Sequence, residues 1–377
     1  MMKKILYILI LLGNSAFAQY SFNAGNNNLE LSGLLNVNYN ERFYLINHPD
    51  KKADVFKLAT ARFKLEGRVS NDYEYKLQLD MARLGFSGDG EFPALLDANF
   101  TIKKLKFTNI TLGYQKIPYS RSSLVGFEHQ TMWQRGEVAR GQVFSRRDLG
   151  VVLAKDYWKQ RINVMLGAFT GQGEGIMTDV TGGDNDASGK LEYVGRVELS
   201  YPSKFKYNET LDLNHTDIPK VSLGLNGRYV ERQNTLQTIN KDPYGLKIIG
   251  GAKTMLGMDL AANYQGFSFL FEAHNINVNP TDKTLLQGLT KTSFNAIGSI
   301  VQLSYYDRTL KSAFTARYDD FIPNDLIPNS TMQTLSGGYN FLLDGFSSML
   351  RVQYWYRLDR SKTDTYDQIR IGWQQKF

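Results

Sequence analysis

The chain has 377 residues, no cysteine, and a formal net charge of +7 from 44 Lys and Arg against 37 Asp and Glu. No disulfide can therefore stabilise it, and no basic run is typical of a nucleic-acid patch, so we expect no nucleic-acid partner. Its 22 Tyr, 22 Phe and 33 Gly with 9 Pro are a composition that favours a β-rich protein.

The first residues have the pattern of an export signal. Lys3 and Lys4 precede an apolar run from Ile5 to Leu12, and Ala16-Phe17-Ala18 follows. This pattern predicts a signal peptide over residues 1–18, removed before Gln19. A membrane anchor would need about 20 apolar residues, which this run lacks. We therefore expect residues 19–377 to form the exported protein.

Strand-like alternation recurs along the rest of the chain. In residues 29–39 the apolar side chains occupy one parity, and in residues 191–201 the same pattern returns with Glu and Arg on the other. Several runs approach the 9–11 residues that cross a bilayer at a tilt, longer than the strands of a soluble sandwich. Sixteen segments start near residues 29, 56, 73, 96, 108, 149, 162, 191, 221, 255, 267, 294, 310, 332, 348 and 366.

The connections between these segments mostly alternate between long and short. Long ones fall near residues 43–54, 84–95, 117–147, 171–189, 232–252, 276–292, 320–331 and 359–365. Short ones include residues 70–72 and 265–266, whereas residues 202–219 form a long link where a short one is expected. The pattern predicts an all-β protein, a transmembrane antiparallel β-barrel of sixteen strands with long extracellular loops and mostly short periplasmic turns.

The chain ends within an alternating stretch, on Phe377. In a closed barrel the last strand pairs with the first, because an open edge in lipid would leave backbone donors and acceptors unsatisfied. A terminal aromatic residue after alternating apolar positions also resembles the signal read by the barrel-assembly machinery. We therefore expect a bacterial outer-membrane location, with membrane lipid and that machinery as partners.

The third loop, residues 117–147, is the longest and is rich in arginine. With the residue that precedes it, the segment from Lys116 to Arg147 has six cations and two acids, Glu128 and Glu137. Arginines at a constriction select for anions, and their planar forks suit phosphate. The alternative is that these arginines pair with strand carboxylates or lie solvated outside the barrel.

Strand parity places further cations on the lumen face, interleaved with carboxylates that could pair with them across strands. The candidate anion-binding residues are, from the loop, Arg121, Arg135, Arg140, Arg146 and Arg147 and, from the wall, Arg62, Lys64, Arg68, Arg351 and Arg357.

Neither a catalytic nor a metal site is predicted. The four His residues form no nucleophile–base pattern with a serine, and neither G-x-S-x-G nor H-E-x-x-H occurs. The acidic segment at residues 171–189 lacks the spacing of a calcium loop. We therefore expect no enzyme activity and no cofactor.

The third loop and its flanks resemble the phosphate-selective porin O and P family. The likeness is in three stretches: residues 116–120 (KIPYS), residues 147–151 (RDLGV) and residues 166–171 (LGAFTG). The resemblance implies a trimeric sixteen-stranded porin whose third loop enters the lumen and presents arginines to anions; Arg135, Arg140, Arg146 and Arg147 match that role best. It also implies a lysine cluster, which the sequence does not locate. Small outward residues at Gly33, Ala59, Ala61 and Gly67 are candidates for the subunit contact.

The function predicted is therefore a passive channel that prefers anions, such as phosphate or polyphosphate. Two alternatives stay open at this point: a general diffusion porin with weak selectivity, and a closed barrel with a structural or receptor role.

Overall fold

The computed structural model describes residues 20–44, 55–83, 94–140, 144–171, 189–232, 251–281, 286, 288, 290–358 and 366–377. The predicted signal peptide and much of several predicted outer loops lie outside these residues. Within the described part of the chain, no helix has the length and apolar character needed to cross a bilayer.

In the part of the chain that the structure describes, seventeen strands form one antiparallel sheet. Their bounds are β1 Tyr20–Ala24, β2 Asn27–Tyr44, β3 Val55–Val69, β4 Tyr73–Asp80, β5 Leu95–Ile102, β6 Asn109–Lys116, β7 Arg147–Tyr157, β8 Ile162–Phe169, β9 Glu192–Tyr201, β10 Lys220–Arg232, β11 Gly251–Tyr264, β12 Phe267–Pro280, β13 Phe294–Asp307, β14 Ser312–Ile322, β15 Met332–Phe346, β16 Ser348–Arg357 and β17 Tyr366–Lys376. Each strand from β2 to β17 pairs with the next, and β17 pairs with β2, from Tyr366↔Tyr44 to Lys376↔Leu34. The predicted sixteen-stranded barrel is confirmed.

The short strand β1 was not predicted. It pairs with β2 in the register Tyr20↔Leu31 to Ala24↔Asn27. Since β17 pairs with β2 as far as Leu34, β1 continues the line of β17 toward the short-turn end of the barrel. Five residues are too few to span a bilayer, so the length criterion that identified the other strands could not find it.

The end of the chain closes the barrel. Phe377 and Gly33 exchange backbone hydrogen bonds of 2.5 and 3.0 Å, so the last residue is held in the ladder. The Phe377 ring lies over Gly33, where a Cβ would come within 2.3 Å of it, and Tyr75 covers Gly67 in the same way. Two of the four small residues proposed for a subunit contact are therefore covered by aromatic rings of their own chain.

The faces of the wall follow the predicted parity near the short-turn end, where large apolar side chains face outward. Toward the long-loop end of β12 the polarity is reversed: Ile276 and Val278 are buried inside, and Asn275 and Asn277 are exposed outside. Inward apolar residues of β7–β14 form one core with the third loop, including Val194, Val230, Met255, Phe294, Ala296, Ile300 and Phe321. Strand parity predicted cations and carboxylates on the lumen face, so this apolar core is a finding of the structure.

Helices are short and lie in the connections. A one-turn α-helix covers Arg121–Leu124, and 3₁₀ turns cover Met81–Arg83, Phe127–His129 and Glu137–Ala139. The Ser120 side chain caps the α-helix by accepting a hydrogen bond from the Ser123 N–H.

We predict that Gly113→Ala strongly destabilises the barrel. Gly113 in β6 has a φ of +122°, and a Cβ there would lie 2.2 Å from the Ala98 carbonyl oxygen. Backbone strain of this kind costs about 1–3 kcal/mol before any clash is counted. Gly337→Ala in β15 is the matched control, because no atom lies within 4 Å of its added Cβ. Urea unfolding of refolded barrels measures both, and equal stabilities would contradict the prediction.

Candidate functional site

The third loop lies inside the barrel, bonded to inward side chains of distant strands. The Trp133 N–H donates to Gln353 Oε1 at 2.6 Å on β16, and Arg317 Nη1 on β14 donates to the Gln134 carbonyl at 2.7 Å. Val138 of the loop is fully buried against Gly298 of β13. These contacts attach the loop to β13, β14 and β16.

A buried carboxylate anchors the start of the loop. Glu272 on β12 accepts hydrogen bonds from Ser120 Oγ at 3.0 Å and from the Ser122 N–H at 2.5 Å. His274, two residues along, lies 3.1 Å from the Tyr119 hydroxyl and 3.5 Å from Glu272. Glu272 is fully buried. Hydrogen bonds from its protein partners therefore have to replace the hydration that the carboxylate would have in water.

Three buried arginines on the β9–β16 side of the barrel each pair with a buried carboxylate. Arg196 lies 2.5 Å from Asp259, Arg317 lies 2.8 Å from Asp319, and Arg228 contacts Glu192. Such buried pairs are charge-neutral and offer little to a passing ion. This is the pairing that was left open as an alternative for the wall cations.

The opposite side of the lumen, along β3 and β4, has a different character. Here the wall and the third loop form a cleft, hereafter the basic cleft, whose charged lining is Arg62, Lys64, Lys76, Arg83, Lys116, Glu128, Arg135, Arg146 and Arg147. Three more carboxylates pair with these cations from the wall: Glu66, Asp80 and Asp97. Eight basic side chains against four carboxylates give a formal net charge of +4.

Two of the four carboxylates, Asp80 and Asp97, are buried in the wall. Asp97 is buried and bonds Arg147 Nε at 3.0 Å and Lys76 Nζ at 2.8 Å, and buried Asp80 bonds Arg62 Nε at 3.2 Å. Lys76 remains 32% exposed toward the lumen. The two buried acids therefore fix Arg62, Lys76 and Arg147 in position, and Lys76 keeps the largest exposure of the three.

The structure separates the ten predicted anion-binding residues into two groups. Five line the basic cleft: Arg62, Lys64, Arg135, Arg146 and Arg147. The other five lie elsewhere. Arg121 is buried against Glu198, Arg351 is fully buried beside Gln374, and Arg68 is exposed near the end of β3. Arg140 and Arg357 both pair with Glu137.

Three cations of the cleft were not among the predicted site residues: Lys76, Arg83 and Lys116. With Lys64, the cleft is lined by three lysines. Strand parity places Lys76 on the lumen face, so the sequence could have identified it as a lining residue. Arg83 follows the end of β4 in a 3₁₀ turn, where strand parity gives no direction.

We predict that Glu128 stays ionised in mildly acidic solution. Burial raises its pKa, but Arg62, His129 and Lys116 outweigh this and lower it from 4.5 to about 2. Because the folded-state pKa is depressed, the stabilisation from Glu128 is present above the unfolded value and is lost as the pH falls through about 2. Ion selectivity controlled by Glu128 should be constant between about pH 7 and about pH 4.

The measurement is the reversal potential in a KCl gradient across this range, compared with that of Glu128→Gln. An increase in anion preference on acidification that is absent from Glu128→Gln would contradict the prediction, since it would show that Glu128 becomes protonated there.

Comparison with known proteins decides the family. The family model described as phosphate-selective porin O and P matches residues 35–239, more than half of the 377 residues. The chain belongs to this family. It is accordingly a porin of the bacterial outer membrane, and its family and fold indicate a channel rather than an enzyme. The long-loop end of the barrel is extracellular and the short-turn end is periplasmic.

Solved porin structures share the fold of this porin. Outer-membrane expressed OmpT of Vibrio cholerae superimposes with a TM-score of 0.60 at 10% identity, covering 95% of this chain and 100% of that one. The trimer form of in-vitro folded OmpT of Vibrio cholerae superimposes with a TM-score of 0.59 at 12% identity, covering 93% of this chain and 99% of that one. Salmonella typhi OmpF in complex with daunomycin superimposes with a TM-score of 0.58 at 11% identity, covering 95% of this chain and 100% of that one. No curated protein matches the chain.

Proposed function

We propose that this porin is a passive channel that prefers anions and that the basic cleft determines its ion selectivity. The observation that supports the proposal is the unequal distribution of charge across the lumen. On the β9–β16 side, Arg196, Arg228 and Arg317 each pair with a buried carboxylate, whereas the cleft along β3 and β4 has a formal net charge of +4. A single-sign cleft with low-dielectric walls concentrates ions of the opposite sign.

Phosphate and polyphosphate are the solutes that best fit the lining. Arg62, Arg135 and Arg147 bring guanidinium groups to the lining of the cleft, and a planar guanidinium group matches phosphate oxygens. Ammonium groups of Lys64 and Lys76 add compact charges that can replace part of the hydration shell of the anion. The solute passes without any covalent step.

The test is single-channel recording in a planar bilayer with KCl, followed by phosphate addition. The proposal predicts discrete chloride-carrying steps that phosphate blocks in a saturable way. Steps without block would favour a general diffusion porin. A correctly folded, inserted barrel that gives no steps would favour the closed structural or receptor barrel.

We further propose that the porin is exported by the signal peptide at residues 1–18 and is delivered to the barrel-assembly machinery through its terminal Phe377 strand. A homotrimer is proposed by analogy with the OmpT trimer form. Ala59 and Ala61 on β3 remain the small residues for a subunit contact, since Gly33 and Gly67 lie under aromatic rings. Crosslinking of the native membrane protein would show the oligomer.

A further inference from the structure

Residues 202–219, hereafter the inner segment, join β9 to β10 at the short-turn end but do not form a turn there. Phe205, Leu211 and Asp212 are buried. Leu211 packs with Ala313 and Leu342, inward residues of β14 and β15 on the far wall. The Asp212 N–H donates to Ser268 Oγ of β12 at 2.8 Å. The inner segment therefore enters the lumen from the periplasmic side.

The inner segment meets the third loop inside the barrel, and Arg121 forms the joint. Arg121 Nη2 donates to the carbonyl oxygens of Phe205 and Lys206 at 3.5 and 3.4 Å. Its guanidinium lies 4.5 Å from the Phe205 ring centre and 5.3 Å from that of Tyr207. Desolvated cation–π contacts of this kind are among the stronger ones. A second link joins Thr210 Oγ1 to the His129 carbonyl.

A neutral buried network fixes this joint to the wall. Glu198 on β9 lies 3.4 Å from Arg121 and 2.9 Å from Arg196, and it accepts a hydrogen bond from the Tyr207 hydroxyl at 2.9 Å. Arg196 is paired in turn with Asp259. Two guanidinium groups and two carboxylates thus balance, and the third loop, the inner segment and the wall are held by one set of bonds.

From these contacts we infer that the inner segment is a specificity-determining element, a brace that fills the lumen beneath the third loop and directs solutes past the basic cleft. The inference rests on the proposed channel function. Without the brace, the space beside Glu198 and Asp259 would open, and its paired charges would favour neither ion. The loop would also lose the carbonyl and aromatic contacts of Arg121, so its own cleft residues would be less well positioned.

The conductance test removes the inner segment. Because Tyr201 and Val221 face each other in the register of β9 and β10, an Asn-Gly pair can replace residues 202–220 as a two-residue hairpin turn. We expect the conductance to rise about two-fold or more and the chloride preference to fall. Unchanged conductance and reversal potential in this variant would overturn the inference.

A second test uses the full-length chain and does not depend on conduction. The chain has no cysteine, so single cysteines report accessibility without background. Leu211→Cys replaces a side chain that is 4% exposed, and Ile218→Cys, in the same segment, one that is 59% exposed. A membrane-impermeant thiol reagent should label Leu211→Cys at about one tenth of the rate of Ile218→Cys, or more slowly still. Equal rates would show that the segment hangs in the periplasm and would overturn the brace.

The two tests distinguish the brace from the proposed function. A wild-type channel with no anion preference would contradict the proposed function. The labelling contrast between Leu211→Cys and Ile218→Cys would still decide whether the inner segment fills the lumen.

Discussion

Replacing Lys64 and Lys76 together with glutamine should weaken phosphate block and reduce the anion preference of the channel. Both ammonium groups are partly exposed in the basic cleft, with side-chain exposures of 23% and 32%. A hydrogen bond from a charged donor contributes about 1.5–3 kcal/mol, so each lost contact should weaken phosphate binding roughly ten-fold or more. Single-channel block by phosphate in KCl measures this directly.

The matched control is Lys104→Gln with Lys159→Gln, which removes the same charge from exposed positions in short turns. It should leave the block unchanged. If both double variants weaken the block equally, the effect belongs to the net charge of the protein and not to the basic cleft. The Lys76 change is structurally tolerable, because Asp97 keeps its bond to Arg147.

Glu272→Leu should destabilise the barrel and release the start of the third loop. The substitution leaves the Ser122 N–H, the Ser120 hydroxyl and His274 without the acceptor they share in the interior. Losing one partner from a buried charged network costs about 3–5 kcal/mol. The unfolding midpoint in urea should fall accordingly, and the open-channel current should become noisier because the loop loses its anchor.

Glu74→Leu is the control for this change. Glu74 is 37% exposed and pairs with Lys103 on the surface, where such pairs contribute about 0–1 kcal/mol. If the Glu272→Leu barrel has the same urea unfolding midpoint and the same open-channel current noise as the Glu74→Leu barrel, the buried carboxylate does not hold the loop.

The barrel itself was predictable because bilayer physics fixes its pattern. Lipid demands outward apolar residues and a closed ladder, so alternation and loop lengths locate the strands. Predicted starts at 56, 73 and 162 compare with observed starts at Val55, Tyr73 and Ile162. The strand at Ser312 differs by two residues from its predicted start near 310, because residues 308–311 form the turn that precedes it.

What lies inside the barrel was less predictable, because the lumen is packed by segments distant in the sequence. Arg121 and Arg135 occur in the same arginine-rich loop, yet Arg121 is buried against Glu198 and Arg135 lines the cleft. Parity assigns a side chain to the lumen but does not say which carboxylate it meets there. The length of residues 202–219 was the one signal of the inner segment, and its buried Phe205 and Leu211 explain that length.

The reversal potential of the wild-type porin in a KCl gradient tests the central claim most directly. Because basic side chains outnumber carboxylates in the basic cleft by eight to four, we predict a potential that favours chloride. The preference should decrease as the salt concentration rises and screens the cleft. A potential that favours potassium would contradict the account, since it would show that ions pass along a surface other than the basic cleft.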